Sequence, residues 1–339
     1  MEAFKKKQAF LYFLGMLRIF IYFIPPNQLE TYIICMKKLL AVVLASTLST
    51  IALAQQDPQF SQNMFNRLWV NPASAGSSDA ICASLLYRAQ WVSFEGAPKS
   101  GVLGIDAPLF NNKMGVGLSI NTDEIGFEKG LTAKLAAAYR FDLGSGKLAI
   151  GVDGSLVQNT IDGKFTAPDG TANDPAIPQS SVSGTAFDLG GGIYFNSEKL
   201  YVGVSSTHLM ESSVDLDKFS KEYKRHYYGM IGYTIELTPS VALKPMIFVK
   251  NVTDNTTIDV NLNAHFNNRF WAGISWRNED AFVGMIGLTL IENLRLGYAY
   301  DFTTSELKNY SDGSHEVMLG YCFNVKKKIP LSIRNVRFL

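Results

Sequence analysis

The sequence predicts an all-β protein, a transmembrane antiparallel β-barrel of fourteen strands with an N-terminal strap or plug. The first observation is an alternation with a period of two, as in residues 258–266, where apolar even positions alternate with polar odd positions. Successive side chains of a strand point to opposite faces, so such a segment has one apolar and one polar face. The second observation is that the segments are about ten residues long, as a strand tilted across a bilayer requires.

Fourteen segments have this strand character, and their number is the third observation. An even number lets the sheet close on itself and leaves no exposed edge. In lipid this closure is needed because unpaired backbone groups cannot be hydrated. The predicted strands start near Ala80, Lys99, Met114, Gly130, Lys147, Ala186, Leu200, Tyr223, Val241, Thr257, Arg269, Ala281, Leu294 and Ser314.

The connections between these segments alternate in length. Every second connection is short and carries the Asn, Gly, Pro and Ser residues that tight turns prefer. The remaining set includes the three longest connections, 161–185, 209–222 and 303–313. Short turns on one side and long loops on the other are typical of outer-membrane barrels, with the long loops outside the cell. The sequence therefore predicts a location in the cell outer membrane.

Composition agrees with a barrel and excludes some partners. The chain has 31 basic and 30 acidic residues, a balance that gives no indication of nucleic-acid binding. Charged residues make up 18% of the chain, against roughly 25% in a soluble domain, and aromatic residues make up 12%. A soluble β-sandwich also alternates, but its polar faces carry more charge.

The start of the chain contains a secretory signal. Residues 36–54 have two lysines, an apolar core and the small residues Ala52 and Ala54 ahead of Gln55, which predicts a signal peptide cleaved at that point. Residues 1–35 are interpreted as a spurious upstream extension, with Met36 as the true start and an inner-membrane anchor as the alternative.

Three further regions follow the signal peptide. Residues 55–79 do not alternate and are predicted to form a strap or a plug, with Phe60, Met64 and Trp69 on one face of a short helix. Residues 80–324 form the barrel. Residues 325–339 form a basic tail, and we expect both chain ends in the periplasm.

One face of each strand is expected to touch lipid and the other the barrel lumen. On the fourth segment the lipid-facing residues are Leu131, Ala133, Leu135, Ala137, Tyr139 and Phe141. The predicted lumen-facing charges are Arg88, Asp106, Lys134, Arg140, Asp142, Asp153, Asp188, Lys244, Asp259, Arg277, Arg295, Asp301 and Glu316. These charges either pair and fill the interior or line a selective channel, and their mixed signs favour pairing.

The sequence offers little for catalysis. Its four histidines form no HExxH motif and have no paired ligand spacing, and no GxSxG motif is present. The sequence therefore predicts no catalytic, cofactor-binding or metal site, and we do not expect an enzyme. Asp169, Asn173 and Asp174 offer oxygens that suit Ca²⁺, although an ordinary polar loop is the favoured interpretation. For His208 and His315 we expect hydrogen bonds at strand ends.

Two cysteines, Cys82 and Cys322, lie on the first and last predicted strands. Both fall on the lumen-facing parity near the periplasmic end, and these strands pair where the barrel closes. An oxidising envelope permits a disulfide if the Cα atoms lie within about 7 Å. Two separate buried thiols are favoured over a bridge.

Several segments also resemble a known family. They are Asp57–Asn66 with Asn71–Gly76, Tyr87–Trp91 with Gly96–Pro98, Gly115–Ser119, Tyr201–Leu209, Gly297–Asp301, Thr304–Leu307 and Gly313–Leu319. In this order they resemble the PorP/SprF family. The resemblance implies an outer-membrane accessory component of the type IX secretion system, linked to export and surface attachment of a large adhesin and, in gliding bacteria, to motility. It brings no catalytic motif and no cofactor.

The partners that the resemblance implies are a secreted adhesin C-terminal domain and periplasmic type IX secretion or gliding-motor components, besides the lipid bilayer. The alternative function is a passive outer-membrane channel for a small or apolar solute, because a barrel of this size can enclose a path. An outer-membrane hydrolase comes third, since a nucleophile–base pair is lacking.

Overall fold

A computed structural model describes residues 57–162, 180–217, 219–253, 255–291 and 293–323. The predicted upstream extension, signal peptide and basic tail lie outside the described residues. The candidate calcium ligands Asp169, Asn173 and Asp174 also lie outside them.

The described chain is almost entirely strand, and every strand pairing is antiparallel. The strands are β1 (Ile81–Ala89), β2 (Lys99–Leu109), β3 (Met114–Ile125), β4 (Glu128–Leu143), β5 (Gly146–Ile161), β6 (Val182–Ser197), β7 (Leu200–Thr207), β8 (Ser213–Leu216), β9 (Phe219–Glu222), β10 (His226–Tyr233), β11 (Ile235–Thr238), β12 (Val241–Val252), β13 (Asn255–Phe266), β14 (Phe270–Arg277), β15 (Ala281–Ile291), β16 (Leu294–Thr303) and β17 (Ser314–Phe323).

The main sheet closes into a barrel of fourteen strands, as predicted. β10 and β11 both pair with β12 and are successive parts of one barrel strand. The barrel therefore consists of β1–β7, the β10–β11 strand and β12–β17, and the pairing of β1 with β17 closes it. Consecutive barrel strands are neighbours throughout, so the local alternation and the turns are enough to specify this topology.

Two strand starts differ from the prediction by more than two residues. β6 begins at Val182 because residues 182–185 continue the pairing with β5. The eighth barrel strand begins at His226, because the preceding residues form β9, which pairs with β8 in a separate hairpin. This β8–β9 hairpin lies in a connection that the alternation had marked only as a long loop.

The barrel has apolar side chains on its outer face and polar side chains on its inner face, which is the opposite of a soluble protein. Leu135 and Ile274 point outward and are 68% and 66% exposed, whereas Lys134 and Asp259 are 3% and 1% exposed. Large apolar side chains on the outside are suited to contact with lipid, and the polar residues face the lumen. Of the helices in the described part of the chain, none is long and apolar enough to cross a membrane.

Residues 57–79, here called the luminal segment, lie inside the barrel. They form two short 3-10 turns, Asn63–Phe65 and Pro72–Ser74, and one helical turn, α1 (Arg67–Val70). Phe60 and Trp69 are buried and Met64 is half-buried, but the three do not share one helix face. Extended backbone at Asn71 ends α1, and the Asn71 side chain accepts a hydrogen bond from the Ala73 N–H at 3.0 Å and so starts the next turn.

Lumen-facing glycines make room for this segment. A Cβ atom on Gly115 of β3 would overlap the carbonyl group of Ala75, and one on Gly151 of β5 would overlap the backbone of Ala73. Ala73 and Ala75 are completely buried. The wall and the luminal segment are therefore packed backbone against backbone at these positions.

The β8–β9 hairpin covers part of the lumen from the end that carries the long loops, here called the loop end; the opposite end is the turn end. Val214 and Leu216 of β8 are buried, and a Cβ on the lumen-facing Gly184 of β6 would overlap the Asp215 carbonyl. Lys221 pairs with Glu128 at the start of β4. These contacts direct the hairpin inward, over the mouth of the barrel.

Candidate functional site

A buried cluster of charges joins the luminal segment to the wall near the loop end. It contains Arg88 of β1, Asp259 of β13, Arg277 of β14, Asp301 of β16 and Glu316 of β17, and all five are at most 1% exposed. Two-residue alternation points each of these side chains into the lumen. The closed topology then brings residues from five strands to one place.

Ion pairs connect the members of this cluster. Asp301 accepts from both guanidinium groups, with Oδ2 2.8 Å from Arg88 Nη2 and 3.0 Å from Arg277 Nη1. Arg277 Nε also donates to Asp259 Oδ1 at 2.9 Å. Buried charges are tolerated only when they are paired and hydrogen-bonded, so this network depends on each of its members.

The luminal segment supplies the remaining hydrogen bonds at this cluster. The Ser61 N–H donates to Glu316 Oε2 at 2.6 Å, and the Gln62 N–H donates to Glu316 Oε1 at 2.8 Å. The Ser61 hydroxyl donates to Asp301 Oδ1 at 2.8 Å. One buried carboxylate thus binds two successive backbone amides, which fixes the position of the segment along the barrel.

A second anchor holds the first described residue, Asp57. Its Oδ1 lies 3.0 Å from His208 Nε2, and its N–H donates to His226 Nε2 at 3.0 Å. Tyr228 donates to Asp57 Oδ2 at 2.9 Å. His208 directly follows β7 and His226 begins β10, so Asp57 lies at the loop end. The luminal segment therefore runs through the barrel from the loop end down to β1, which differs from the expected periplasmic start.

Electrostatics at this anchor favour an imidazolium between two carboxylates. His208 Nδ1 lies 3.1 Å from Asp188 Oδ2, so each ring nitrogen faces a carboxylate. Burial by itself lowers the pKa of His208, but the Asp57 charge and the hydrogen bonds to Asp188 and Asp57 outweigh it and raise this pKa to about 9. Burial opposes ionisation of Asp57, but His208 and His226 lower the pKa of Asp57 well below its usual value.

The same residues are near enough to share a divalent cation. The ligand atoms of Asp57, His208 and His226 all lie within 4.8 Å of one another. However, the lone pair of His226 Nε2 accepts the Asp57 N–H, while its Nδ1 donates to the Lys224 carbonyl at 2.8 Å. Each atom that could bind a metal ion is thus engaged in a hydrogen bond, and we assign no metal here.

A third anchor holds the other end of the luminal segment at the turn end of the barrel. Asp79 Oδ1 lies 2.8 Å from Arg140 Nη1 and 3.4 Å from Lys147 Nζ. The Gly76 N–H donates to Asp106 Oδ2 at 2.7 Å. The segment is therefore held by charged groups at both ends.

Between these ends, the segment makes polar contacts with the wall. Lys134 Nζ donates to the Trp69 carbonyl at 3.2 Å and lies 3.9 Å from the centre of the Trp69 ring. Ser205 donates to the Val70 carbonyl at 2.7 Å. Trp69 is itself buried. The middle of the lumen is thus occupied by protein side chains.

The structure places nearly all of the predicted lumen charges inside the barrel. Asp106, Lys244 and Arg295 are half-buried, and Asp142 is the exception, because it is exposed at the turn end of β4. His208 makes the expected hydrogen bonds at a strand end, and His315 Nδ1 lies 2.7 Å from the Tyr298 hydroxyl. Among the described residues, charges of opposite sign pair in the loop-end cluster, as the mixed signs favoured.

The two cysteines correct a prediction. Cys82 and Cys322 are register partners in the β1–β17 pair and form a disulfide, not two separate thiols. The parity and strand assignments were right, but the sequence could not fix the register at the closing pair to the residue. The register itself places the two side chains directly opposite each other.

Several anchoring residues were missed by sequence reasoning. Periodicity and motif spacing assign no individual role to Asp57, Ser61 or His226. The available signal was the family-like run Asp57–Asn66, which contains both Asp57 and Ser61. A stretch without periodicity gives no indication of which wall residues it contacts.

The β1–β2 connection (residues 90–98) and the β16–β17 connection (residues 304–313) form an exposed surface, here called the loop platform. The Val92 N–H donates to the Gly313 carbonyl at 2.8 Å, and the Asp312 N–H donates to the Val92 carbonyl at 2.8 Å. These bonds join the two connections. Phe94 and Tyr310 stand on them and are 45% and 68% exposed.

Comparison with solved structures finds similar proteins at low sequence identity. A Pseudomonas aeruginosa FadL homologue is 12% identical, with a TM-score of 0.42, over 75% of this chain and 92% of that chain. The Ralstonia pickettii toluene transporter TbuX is 9% identical, with a TM-score of 0.46, over 76% and 93%. The P. putida toluene transporter TodX is 9% identical, with a TM-score of 0.45, over 76% and 94%.

No curated protein matches the sequence. A family model does match, and its description is "Type IX secretion system membrane protein PorP/SprF". The match covers residues 52–321, which include the luminal segment and almost the whole barrel. The closed barrel with its apolar exterior agrees with an outer-membrane location. The chain therefore belongs to the PorP/SprF family of type IX secretion system membrane proteins.

Proposed function

We propose that this protein is an outer-membrane accessory component of the type IX secretion system that aids the export and cell-surface attachment of a large adhesin, in attachment or gliding. The observation that carries the proposal is the occupied lumen. The luminal segment is held by ion pairs and hydrogen bonds at both ends of the barrel, and the β8–β9 hairpin covers part of the loop end. An interior filled in this way favours a protein partner on the outer surfaces over free solute passage.

The loop platform is the surface we assign to the adhesin C-terminal domain. Long loops of an outer-membrane barrel face the outside of the cell, where a displayed adhesin is held. Phe94 and Tyr310 offer exposed aromatic area on connections that hydrogen-bond to each other. Aromatic residues on an ordered surface are the usual anchors of protein interfaces.

The test is a crosslinked pull-down from intact outer membranes. The double variant Phe94→Ser/Tyr310→Ser is expected to lose capture of the adhesin C-terminal domain, while Phe110→Ser keeps it. Phe110 is a matched control because it is 72% exposed but lies in the β2–β3 turn at the opposite end. Equal capture by all variants would contradict the assignment.

The passive channel is the competing function, and liposomes test it directly. We expect purified protein to give no flux of small polar or apolar solutes, because the luminal segment fills the path. Flux through wild-type protein, together with undiminished adhesin display in the platform variant, would favour the channel.

The ends of the chain complete the proposal. We infer that the mature protein starts at Gln55 after removal of a signal peptide, and that residues 325–339 dock on a periplasmic secretion or gliding-motor component through their basic side chains. Deleting residues 325–339 is expected to leave the barrel assembled and to abolish adhesin display. N-terminal sequencing that begins before Met36 would contradict the proposed start.

A further inference from the structure

A cavity of about 430 Å³ lies beneath the luminal segment at the turn end. We call it the turn-end cavity. Its roof is formed by Met64, Phe65 and Arg67 of the segment, and its walls come from the turn-end parts of β7, β10, β12, β13 and β16. The last two residues of β6, the turn residue Glu198 and the turn residue Asn268 also line it, so it opens towards the periplasmic side of the barrel.

Three cationic side chains line this cavity: Arg67, Lys244 and Arg295. Glu198 is the only acidic residue among the described lining residues, and it is exposed on the β6–β7 turn. Within the described chain, none of the three cations has a carboxylate within ion-pair distance, unlike the arginines of the loop-end cluster.

The hydrogen bonds of these cations leave donors free. Arg67 donates to the Tyr194 hydroxyl and to the Met64 carbonyl. Arg295 donates to Cys322 Sγ at 3.4 Å, and the Lys244 ammonium has no hydrogen-bond partner in the described part of the chain. The charges that act on Lys244 come from Arg295 and Arg67, so they repel it. Asp106 is a counter-charge for Arg67, whereas the charge that acts on Arg295 is the positive charge of Arg67. Half-buried like charges that repel each other are unfavourable.

Aromatic rings form the other part of the lining. The Arg67 guanidinium lies 4.8 Å from the centre of the Tyr201 ring, and that of Arg295 lies 5.7 Å from the Phe65 ring. The indole of Trp271 also lines the cavity, and its Nε1–H has no acceptor among the residues that the structure describes. Cation–π contacts hold the guanidinium planes against the wall without using up their outward N–H donors.

We propose that the turn-end cavity is a binding site for an organic carboxylate carried on an aromatic or apolar body. The carboxylate receives hydrogen bonds from Lys244 and Arg295 and neutralises the excess positive charge. The apolar body packs between Phe65, Tyr201 and Trp271. Because the site opens at the turn end, its ligand comes from the periplasm. The inference does not depend on the role of the loop platform in adhesin display.

Isothermal titration calorimetry of the purified full-length protein tests the site with a matched pair of probes. Phenylacetate is expected to bind, and to bind more weakly as the salt concentration rises, because the interaction is between charges. Phenylacetamide has the same shape without the charge and is expected not to bind. Equal affinity for both would overturn the proposal, and so would inorganic phosphate binding as tightly as phenylacetate, since phosphate lacks the apolar body.

Two substitutions locate the binding. Lys244→Gln and Arg295→Gln are each expected to weaken phenylacetate binding by about tenfold, the effect of losing one charged hydrogen bond. Lys199→Gln is the control, because Lys199 is exposed on the same turn as Glu198 but does not line the cavity. Heat-modifiable electrophoresis verifies that each variant is folded. Unchanged affinity in a folded Lys244→Gln protein would overturn the assignment.

Discussion

The imidazole of His208 lies 3.0 Å from the carboxylate of Asp57 and 3.1 Å from that of Asp188. His208 and Asp57 are 151 positions apart in the sequence. This ion pair joins the start of the luminal segment to the end of β7. Because a carboxylate faces each ring nitrogen, the histidine is held in its charged form. The attachment of the luminal segment therefore depends on pH.

The first prediction concerns that pH dependence. The pKa of His208 is raised from 6.5 to about 9, so its contribution is fully present below about pH 6.5 and is lost as the pH rises through 9. The contribution is on the order of 3 kcal/mol. The lowered pKa of Asp57 gives a contribution that is present above its ordinary value of 3.8 and lost as the pH falls below it.

Hydrogen exchange of residues 57–66, measured by mass spectrometry, tests this linkage. At pH 6 these amides are expected to exchange faster in His208→Gln than in the wild type, and near pH 10 the two proteins are expected to match. His315→Gln serves as the control, because His315 contacts Tyr298 and not the luminal segment. A difference between wild type and His208→Gln that is the same at both pH values would contradict the prediction.

The second prediction concerns the loop-end cluster. Arg277→Ala removes the ion-pair partner of the buried Asp259 carboxylate and one of the two partners of Asp301, which keeps Arg88. The free energy of unfolding is expected to fall by about 3–5 kcal/mol. Urea unfolding of the purified barrel in detergent measures it. The control is Arg269→Ala, an exposed arginine at the turn end, for which a change of no more than about 0.5 kcal/mol is expected.

The third prediction concerns the close approach of the wall to the luminal segment. Gly151→Ala places a methyl group where the backbone of Ala73 lies, so the segment must shift. A loss of about 1–3 kcal/mol is expected from this overpacking, with faster hydrogen exchange at residues 71–76. Gly229→Ala adds the same group where the nearest atom of Val249 lies at an ordinary 3.9 Å. If the two variants have equal stability and equal hydrogen exchange at residues 71–76, the segment does not pack closely against Gly151.

The fourth prediction concerns the disulfide at the closing strand pair. Non-reducing peptide mapping of the native protein is expected to find Cys82 linked to Cys322. The double variant Cys82→Ser/Cys322→Ser is expected to lose about 2–5 kcal/mol of stability. It should still close, because β1 and β17 pair from Ile81 to Ala89 without the bridge. Two free thiols in protein taken directly from the outer membrane would contradict the prediction.

The sequence by itself determined the number of barrel strands, their lipid-facing and lumen-facing sides and the alternation of turns with long loops. These properties are local, because a period of two assigns each side chain to a face without reference to any distant residue. For this reason Leu135 and Lys134 fall on the predicted sides, and seven strand starts, from Lys99 to Ser314, match the predicted positions.

Only the tertiary structure decided which lumen residues meet. Arg277 contacts Asp301, and Ser61 contacts Glu316 across 255 residues, because barrel closure brings distant strands to one level. The path of the luminal segment, with Asp57 at the loop end, follows from contacts with the wall and not from any repeat in residues 57–79. Long-range contacts of this kind depend on the register of the closed sheet, so neither periodicity nor spacing along the chain specifies them.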